Sequence, residues 1–506
     1  MNLRLSVRPA VLLVASALLA TSPLLLAADP VNTPGGKLSL PGSTSASANA
    51  EVDQQLKAAE ELRAKGEIPA ALAKVEEVLK KHPKSVPALL LAGTLEGAMG
   101  KLDAALAHLK QAVTDNPDNL MARKVYASAL MQKGDGAHAL ETLEPVLKRT
   151  PVDVQAYLLA AQIAAASSDF ESANHSVEKA LKAEPNNIPA HQLAARLAFA
   201  QRKFDEASRQ LQALLKLQPD DIDAMLGLAG IEADANRNAS AASWLEKARK
   251  AKPNQAEPLL ASAQFALHAG KPDEAAGYEA RLETILPNQA VVLSLKAQIA
   301  MAQKHPKEAV TALKAALDKQ PATELLVQLH QALLADGQTD EAAKRLKAWV
   351  DTHGDDMRLR FYAAASAGRA KDYPAAVVQY KAILAKDANN LQALLDLAQT
   401  LELMKDPGAL EYAEKAHKLK PDSVATANTL GVILMSEGKQ NERGLGLLRE
   451  AAQHAPTNAD VRYDYARGLL AVNEKAKAKS ELEAILALKA PFANEAKARD
   501  LLKELN

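Results

Sequence analysis

From about Val52 onward, apolar positions recur at the 3.6-residue spacing of a helix face, and the pattern breaks and restarts every 34 residues. The breaks fall at Pro83, Pro117, Pro151, Pro185, Pro219, Pro253, Pro287 and Pro321, in unbroken register, and continue with small slips through Gly354, Ala388, Pro421 and Pro456. Proline lacks an amide proton and disfavours helix in the residue before it, so each break predicts the end of one helix ahead of the next. Twelve residues before each break stands a small residue: Ala71, Ala105, Ala139, Ala173, Ala207, Ala241, Ala275, Ala309, Ala342, Ala376, Ala409 and Gly444, with Ala478 closing the series. A second small column lies twelve residues earlier, at Ala59, Gly93, Ala127, Ala161, Ala195, Ala229, Ala263, Ala297, Ala364, Ala398, Gly431 and Ala466. Leu109, Leu143, Leu211, Leu245, Leu313, Leu346 and Leu448 follow the first column by four positions, on the same helical face. Small residues on two helices half a repeat apart let those helices approach closely. Between the columns, Gly66, Gly100, Gly134, Gly270, Gly337 and Gly438, with Asn236 and Asn473, supply the left-handed residue that ends a helix. Each unit therefore reads as helix, tight turn, helix, and the chain as all-α.

Hydrophobic residues make up 48% of the 506 and aromatics only 3%, so the core must be built mainly from Ala, Leu, Val and Ile, a helix-favouring mix. Small residues at the eighth and twentieth positions of a 34-residue helix pair, with proline at the thirty-second, resemble the tetratricopeptide-repeat family. The resemblance covers residues 52–490 as about 13 repeats of 33–35 residues, and implies a right-handed superhelical solenoid. The family's aromatic positions are mostly Leu or Ala here, although Tyr126 and Phe204 remain. Residues 491–506 hold one more amphipathic stretch, Phe492 to Leu505, which predicts a capping helix over the last pair.

The N-terminus changes the picture. Arg4 and Arg8 precede an apolar run from Val11 to Ala20, then Leu24, Leu25 and Leu26 ahead of Ala27 and Ala28, so residues 1–28 read as a secretory signal. A retained membrane anchor is the alternative, disfavoured because Thr21, Ser22 and Pro23 interrupt a run already short for a bilayer. Residues 29–50, rich in Pro, Gly and Ser, read as a flexible leader. An exported, periplasmic chain is the expectation. With no cysteine, it can be neither disulfide-bonded nor lipidated at a new N-terminal cysteine.

Lys plus Arg and Asp plus Glu both count 61, which leaves no excess positive charge for nucleic acid. The eleven histidines, among them His82, His108, His138, His175 and His191, are scattered without zinc-ligand spacing, and no metal or cofactor is predicted. Gly444-Leu445-Gly446 lacks the third glycine and the preceding strand of a dinucleotide loop. No phosphate loop, serine elbow or cysteine nucleophile appears, so no catalytic residue is expected. Asp220-Asp221 and Asp355-Asp356 sit where helix N-termini favour negative charge. His330, which interrupts the second small column, reads as a repacked repeat rather than a metal ligand.

The family resemblance also implies where a partner would bind: the first helix of each pair lines the concave face, with its second, fifth, ninth and twelfth positions toward the ligand. The ninth gives Gln162, Gln264, Gln298, Gln331 and Gln399, the fifth Leu158, Leu226, Leu260, Phe361 and Tyr463, and the twelfth Phe199 and Met301. Amides beside an apolar, methionine-bearing row suit an extended or helical peptide; solvated surface and inter-repeat core are the competing readings of these same residues. Only Lys124 is basic at the fifth position, which argues against the family's carboxylate clamp. The reading is a non-enzymatic periplasmic scaffold for protein or peptide partners in envelope assembly or secretion. The alternative is an accessory component of an exopolysaccharide secretion system, because the chain is similar to exported repeat proteins that accompany exosortase and related machinery.

Overall fold

A computed structural model describes residues 46–488 and 491–505. The expected export signal and residues 29–45 of the expected leader lie outside those described residues. The first helix, Ala46–Ala64, starts inside the segment read as leader. Ala46, Ala48 and Ala50 have the highest helix propensity of any residue, and this outweighs the neighbouring serine and asparagine.

All 27 described elements are α-helices, and no strand occurs among the described residues. They fall into two compact units divided after Pro287. The first holds seven helix pairs, from Ala46–Ala64 with Ile68–Lys81 to Ala256–His268 with Pro272–Ile285. The second holds six, from Ala290–Ala302 with Pro306–Lys319 to Ala459–Ala471 with Lys475–Ala487, followed by the single helix Glu495–Glu504. That last helix starts three residues later than Phe492; Phe492, Leu501, Leu502 and Leu505 pack on buried Tyr463, Leu482 and Ile485, covering the apolar side of the final pair.

The small columns are where helices touch. Ala71, Ala139, Ala207, Ala275 and Ala342 of the first column, and Ala59, Ala127, Ala263 and Ala398 of the second, have no exposed surface. Gly93 shows why. A Cβ built there would stand 2.5 Å from Leu109 Cγ and 3.1 Å from the Ala105 carbonyl oxygen, so the leucine of the second helix occupies the space a side chain would need. Gly431 repeats the arrangement, with Leu448 Cγ at 2.8 Å and the Gly444 carbonyl oxygen at 3.0 Å. The small-and-leucine interlock thus closes the pairs that carry it, where Leu109, Leu143, Leu211, Leu245, Leu313, Leu346 and Leu448 are all buried.

Between the two helices of every pair, one residue adopts positive φ. Eight are the Gly and Asn positions expected from sequence, such as Gly134 (φ 83°) and Asn236 (φ 58°). The other five pairs place Ser168, Arg202, Lys304, Lys371 and Lys405 there, at φ between 54° and 64°. Helix starts are capped by short side chains at the repeat boundary. Asn119, Asp153, Asn187, Asp221, Asp356, Asn390 and Asn458 each accept an amide N–H from the third residue of the following helix, as in Asp221 to Ala224 at 2.8 Å.

First and second helices differ in what they bury. Helix Val86–Ala98 is buried around most of its circumference, whereas its partner Leu102–Asp115 buries a single stripe of Ala105, Leu106, Leu109 and Ala112. Contacts that skip one helix run between first helices, such as Val86–Ala98 with Leu120–Gln132 or Leu391–Leu403 with Val424–Glu437. Within each unit the first helices form an inner layer, and their one free edge is the face on which a ligand can lie.

Candidate functional site

The predicted partner-binding residues divide once that inner layer is seen. Gln298 and Gln331 are exposed, and Gln162, Gln264 and Gln399 are half-buried, so the amide row does border solvent. Leu260, Phe199, Phe361 and Met301 are half-buried. Leu158, Leu226 and Tyr463 are not ligand-facing: they are buried inside separate core clusters, packed against Ala161, Leu245 and Ile485 respectively. The correction has a simple cause. The fifth position of a first helix faces the next first helix as well as the groove, and an apolar side chain there gains more by closing the seam between pairs than by meeting water.

In the first unit the seam between first helices is mainly apolar. The sixth position, unassigned in the sequence reading, carries Leu91, Val125, Leu159, Leu193, Gly227 and Ala261 after an initial Lys57. Three polar groups stand near the row, at the second and ninth positions. Arg196 is half-buried with no hydrogen bond or ion pair among the described residues, and burial holds its guanidinium below the usual arginine range. Asp223 is pushed above the usual carboxylate range by burial first and then by the charges of Asp221 and Glu257. The Ser128 hydroxyl is buried without a partner. A cleft of about 800 Å3 between neighbouring pairs is lined by Glu178, Arg202, Phe204, Arg209, Asp234 and Arg237. Two of its guanidiniums are already engaged, Arg209 with Glu206 and Arg237 with Glu232 at 2.6 Å.

In the second unit the same sixth position reads Leu295, Gln328, Tyr362, Asp396, Thr429 and Asp464. These residues join neighbouring pairs by hydrogen bonds. The Ser294 hydroxyl donates to Gln328 Oε1 at 2.9 Å, Gln399 Nε2 donates to Thr429 Oγ1 at 3.1 Å, and Asn428 Nδ2 donates to Asp464 Oδ2 at 2.9 Å. The Asn428 carbonyl oxygen is left buried and unpartnered. Neither Asp396 nor Asp464 takes part in a salt bridge among the described residues. Burial pushes both carboxyls above their usual range, partly offset at Asp464 by the Asn428 amide and the charge of Arg467 and at Asp396 by the Gln392 amide. The sequence reading missed this row, although its signal was present: a polar residue at a helical position where the other half of the chain carries Leu or Val.

His330 is 2% exposed, and its Nδ1 lies 2.8 Å from the Tyr362 hydroxyl on the next pair's first helix, ring edge to ring face. It is a seam residue, repacked as the sequence suggested. Burial lowers its pKa, aided by the positive charge of Arg369. Elsewhere His108 meets the buried Glu96 at 2.8 Å. Among the described residues no three His, Cys, Asp or Glu side chains converge as metal ligands, and no described helix is long and apolar enough to cross a membrane.

With this geometry in hand, family models for the tetratricopeptide repeat match residues 56–119, 193–256 and 294–356, and a second such model matches 98–163. A TPR repeat-containing protein of Pseudomonas aeruginosa is 28% identical over 153 residues, 29% of this chain, and the matched stretch spans about a quarter (26%) of that relative's length. Among solved structures, a tetratricopeptide repeat protein from Parabacteroides merdae is 20% identical, covers 49% of this chain and 98% of its own, and superposes with a TM-score of 0.37. The APC/C hetero-tetramer Cut9–Hcn1 is 15% identical, covers 88% and 95%, and gives 0.34. The human IFIT1 dimer with m7Gppp-AAAA is 17% identical, covers 74% and 90%, and gives 0.39. Thirteen helix pairs with small residues at their crossings, one left-handed residue in every turn, and repeat matches in both units identify the fold as a tetratricopeptide-repeat solenoid.

Proposed function

We propose that this chain is a non-catalytic scaffold that holds protein partners against the inner layer of first helices. The observation that supports this most is the free edge of that layer, where Gln162, Gln264, Gln298, Gln331 and Gln399 recur at one helical position and keep solvent contact in both units. The amide, present in five of the thirteen repeats, offers a donor and an acceptor to an extended backbone, and the half-buried Leu260, Phe199, Phe361 and Met301 beside it offer apolar contact. The work is assigned to the bacterial periplasm, in envelope assembly or secretion, on the strength of the apolar, arginine-flanked N-terminal run. Fractionation with N-terminal sequencing tests the location: an uncleaved chain in the cytoplasm overturns it. Affinity capture of the full chain from its own envelope extract under mild crosslinking tests the scaffold. Defined partners lost when Gln264, Gln298 and Gln331 are changed to Ala are the expected result, and no partner at all ends the reading.

One observation favours a second reading, an accessory role in exopolysaccharide secretion. The hydroxyl, amide and carboxylate groups of the second unit's first-helix face, beside the Phe361 and Tyr362 rings, are also chemistry that sugars use. Loss of secreted polymer on deletion of the gene, with no protein captured, would replace the first reading by this one.

A further inference from the structure

In three pairs the fourth position of the first helix is an arginine, Arg123, Arg360 and Arg462, and each makes the same two bonds. One reaches back six residues to a carbonyl oxygen of the repeat boundary: Pro117 at 2.8 Å, Gly354 at 2.7 Å and Pro456 at 3.3 Å. The other reaches forward 19 residues to the second helix of the pair: the Thr142 carbonyl oxygen at 3.4 Å, Gln379 Oε1 at 2.9 Å and Glu481 Oε2 at 2.6 Å. The guanidinium ties boundary loop, first helix and second helix together, using only donors and a charge that does not titrate.

In the fifth pair this position is His191, and the ring makes the same two contacts in the same register. Nε2 lies 2.9 Å from the Pro185 carbonyl oxygen, six residues back, and Nδ1 lies 2.7 Å from Gln210 Oε1, 19 residues on. Both facing atoms are acceptors. A carbonyl cannot donate, and the Gln210 amide is fixed in orientation because its Nε2 donates to Glu206 Oε1 at 2.6 Å, on a carboxylate already paired with Arg209. A neutral imidazole has one N–H, which leaves the lone pair of its other nitrogen against an oxygen; only the imidazolium donates at both ends. We propose that His191 is a pH-sensitive brace, which closes the fifth pair when protonated, as arginine does elsewhere, and gives up one arm when it loses the proton. The second bond is present in acid and lost as pH rises through the histidine range, the reverse of buried His330.

No ionised side chain bonds to the ring among the described residues. Charged groups on the surrounding elements are the Glu206–Arg209 pair and Lys216 on helix Phe204–Leu217, Lys182 on helix Phe170–Ala183, and Glu184 in the boundary loop, which accepts the Asn187 amide at 2.6 Å. Asp221 and Asp223 stand at the start of helix Ile222–Asp234, and helix Val154–Ala166 carries no charge. Their signs are mixed, and the two acceptors decide the state of the ring. Helix Ile188–Ala200 also carries Phe199, so the brace sets how firmly part of the face assigned to partners is held.

Hydrogen–deuterium exchange of the full chain tests the brace, read on peptides spanning residues 184–217 and corrected for the intrinsic effect of pH. His191→Gln is the comparison, because its neutral amide puts a donor at one end and an acceptor at the other. At about pH 5.5 the unmodified chain should be about tenfold better protected than this variant, the usual weight of a hydrogen bond to a charged group, and at about pH 8 within about twofold. His191→Arg should be protected equally at both pH values. A difference between the unmodified chain and His191→Gln that is the same in acid and base, or larger in base, overturns the brace and leaves the scaffold reading standing. Where arginine proves too long for this pair and the variant fails to fold, the Gln comparison alone decides.

Discussion

The two units are made from one repeat and differ on one face. At the sixth position of its first helices the first unit carries Leu91, Val125, Leu159 and Leu193, and the second carries Gln328, Tyr362, Asp396 and Asp464. Yet the crossings beneath are alike: Gly93 is filled by Leu109 in one unit, and Gly431 by Leu448 in the other. The fold therefore depends on the small-and-leucine columns, while the seam between first helices tolerates either apolar contact or hydrogen bonds. Polarity in that seam costs desolvation, which is visible in the raised carboxyls of Asp396 and Asp464 and the lowered imidazole of His330.

If the crossings are equivalent, Leu109→Ala and Leu448→Ala should cost the same, about 2–5 kcal/mol each, because both side chains are buried against a glycine that cannot collapse to fill the hole. Chemical denaturation followed by circular dichroism measures the loss. A cost confined to Leu109 would mean that the second unit's polar seam, and not its interlock, holds its pairs together.

The reverse substitution is smaller. Ala207 has no exposed surface and faces the first helix of its own pair, so Ala207→Leu should overpack the crossing and cost about 1–3 kcal/mol. An unchanged thermal midpoint would show that the column is looser than its burial implies.

How much of this was legible beforehand follows from the same comparison. The columns could be read because each crossing needs a small residue at a fixed place, and the requirement recurs thirteen times with little room for exchange. The turns were legible where Gly and Asn stand and illegible at Ser168, Arg202, Lys304, Lys371 and Lys405, residues whose own preference is right-handed; there the packing of the two helices fixes the bend. The site was harder. Leu158, Leu226 and Tyr463 share a helical position with half-buried Leu260 and Phe361, and only the packing of the next pair decides which of them keeps solvent contact.

Acidity should act on the second unit's seam with opposite signs at its carboxyls and at its buried imidazole. The folded state holds the Asp396 and Asp464 carboxyls above their unfolded range, so folding is penalised once they ionise; stability from these groups is greatest in acid and falls as pH rises through the raised values. Asp396→Asn should accordingly raise the thermal midpoint at pH 7, with the gain vanishing as pH drops below about 3.9, the ordinary aspartate value. His330 runs the other way: its folded pKa is depressed, so its contribution is lost as pH falls below about 6.5, and Tyr362 and Arg369 bring no negative charge to offset the proton in that range. His330→Ala, which restores the small column, should remove that acid-side loss, read from midpoints taken between pH 7 and pH 5. A midpoint that falls with pH unchanged in the His330→Ala variant would place the titration elsewhere.

The smallest effect concerns the turns, where each unit uses Gly or Asn in some pairs and a longer side chain in others, at one geometry. Lys371 sits at φ 61°, and Gly134, at φ 83°, does the same work in the first unit with nothing within 4 Å of where its Cβ would stand. Because that space is open, Gly134→Ala reports backbone strain alone and should cost about 1 kcal/mol. Lys371→Gly relieves the same strain but frees the unfolded chain, and the two terms nearly cancel. The net gain should be a few tenths of a kcal/mol, about 0.5 at most. A loss of stability instead would show that Lys371 is held in place by something its side chain does.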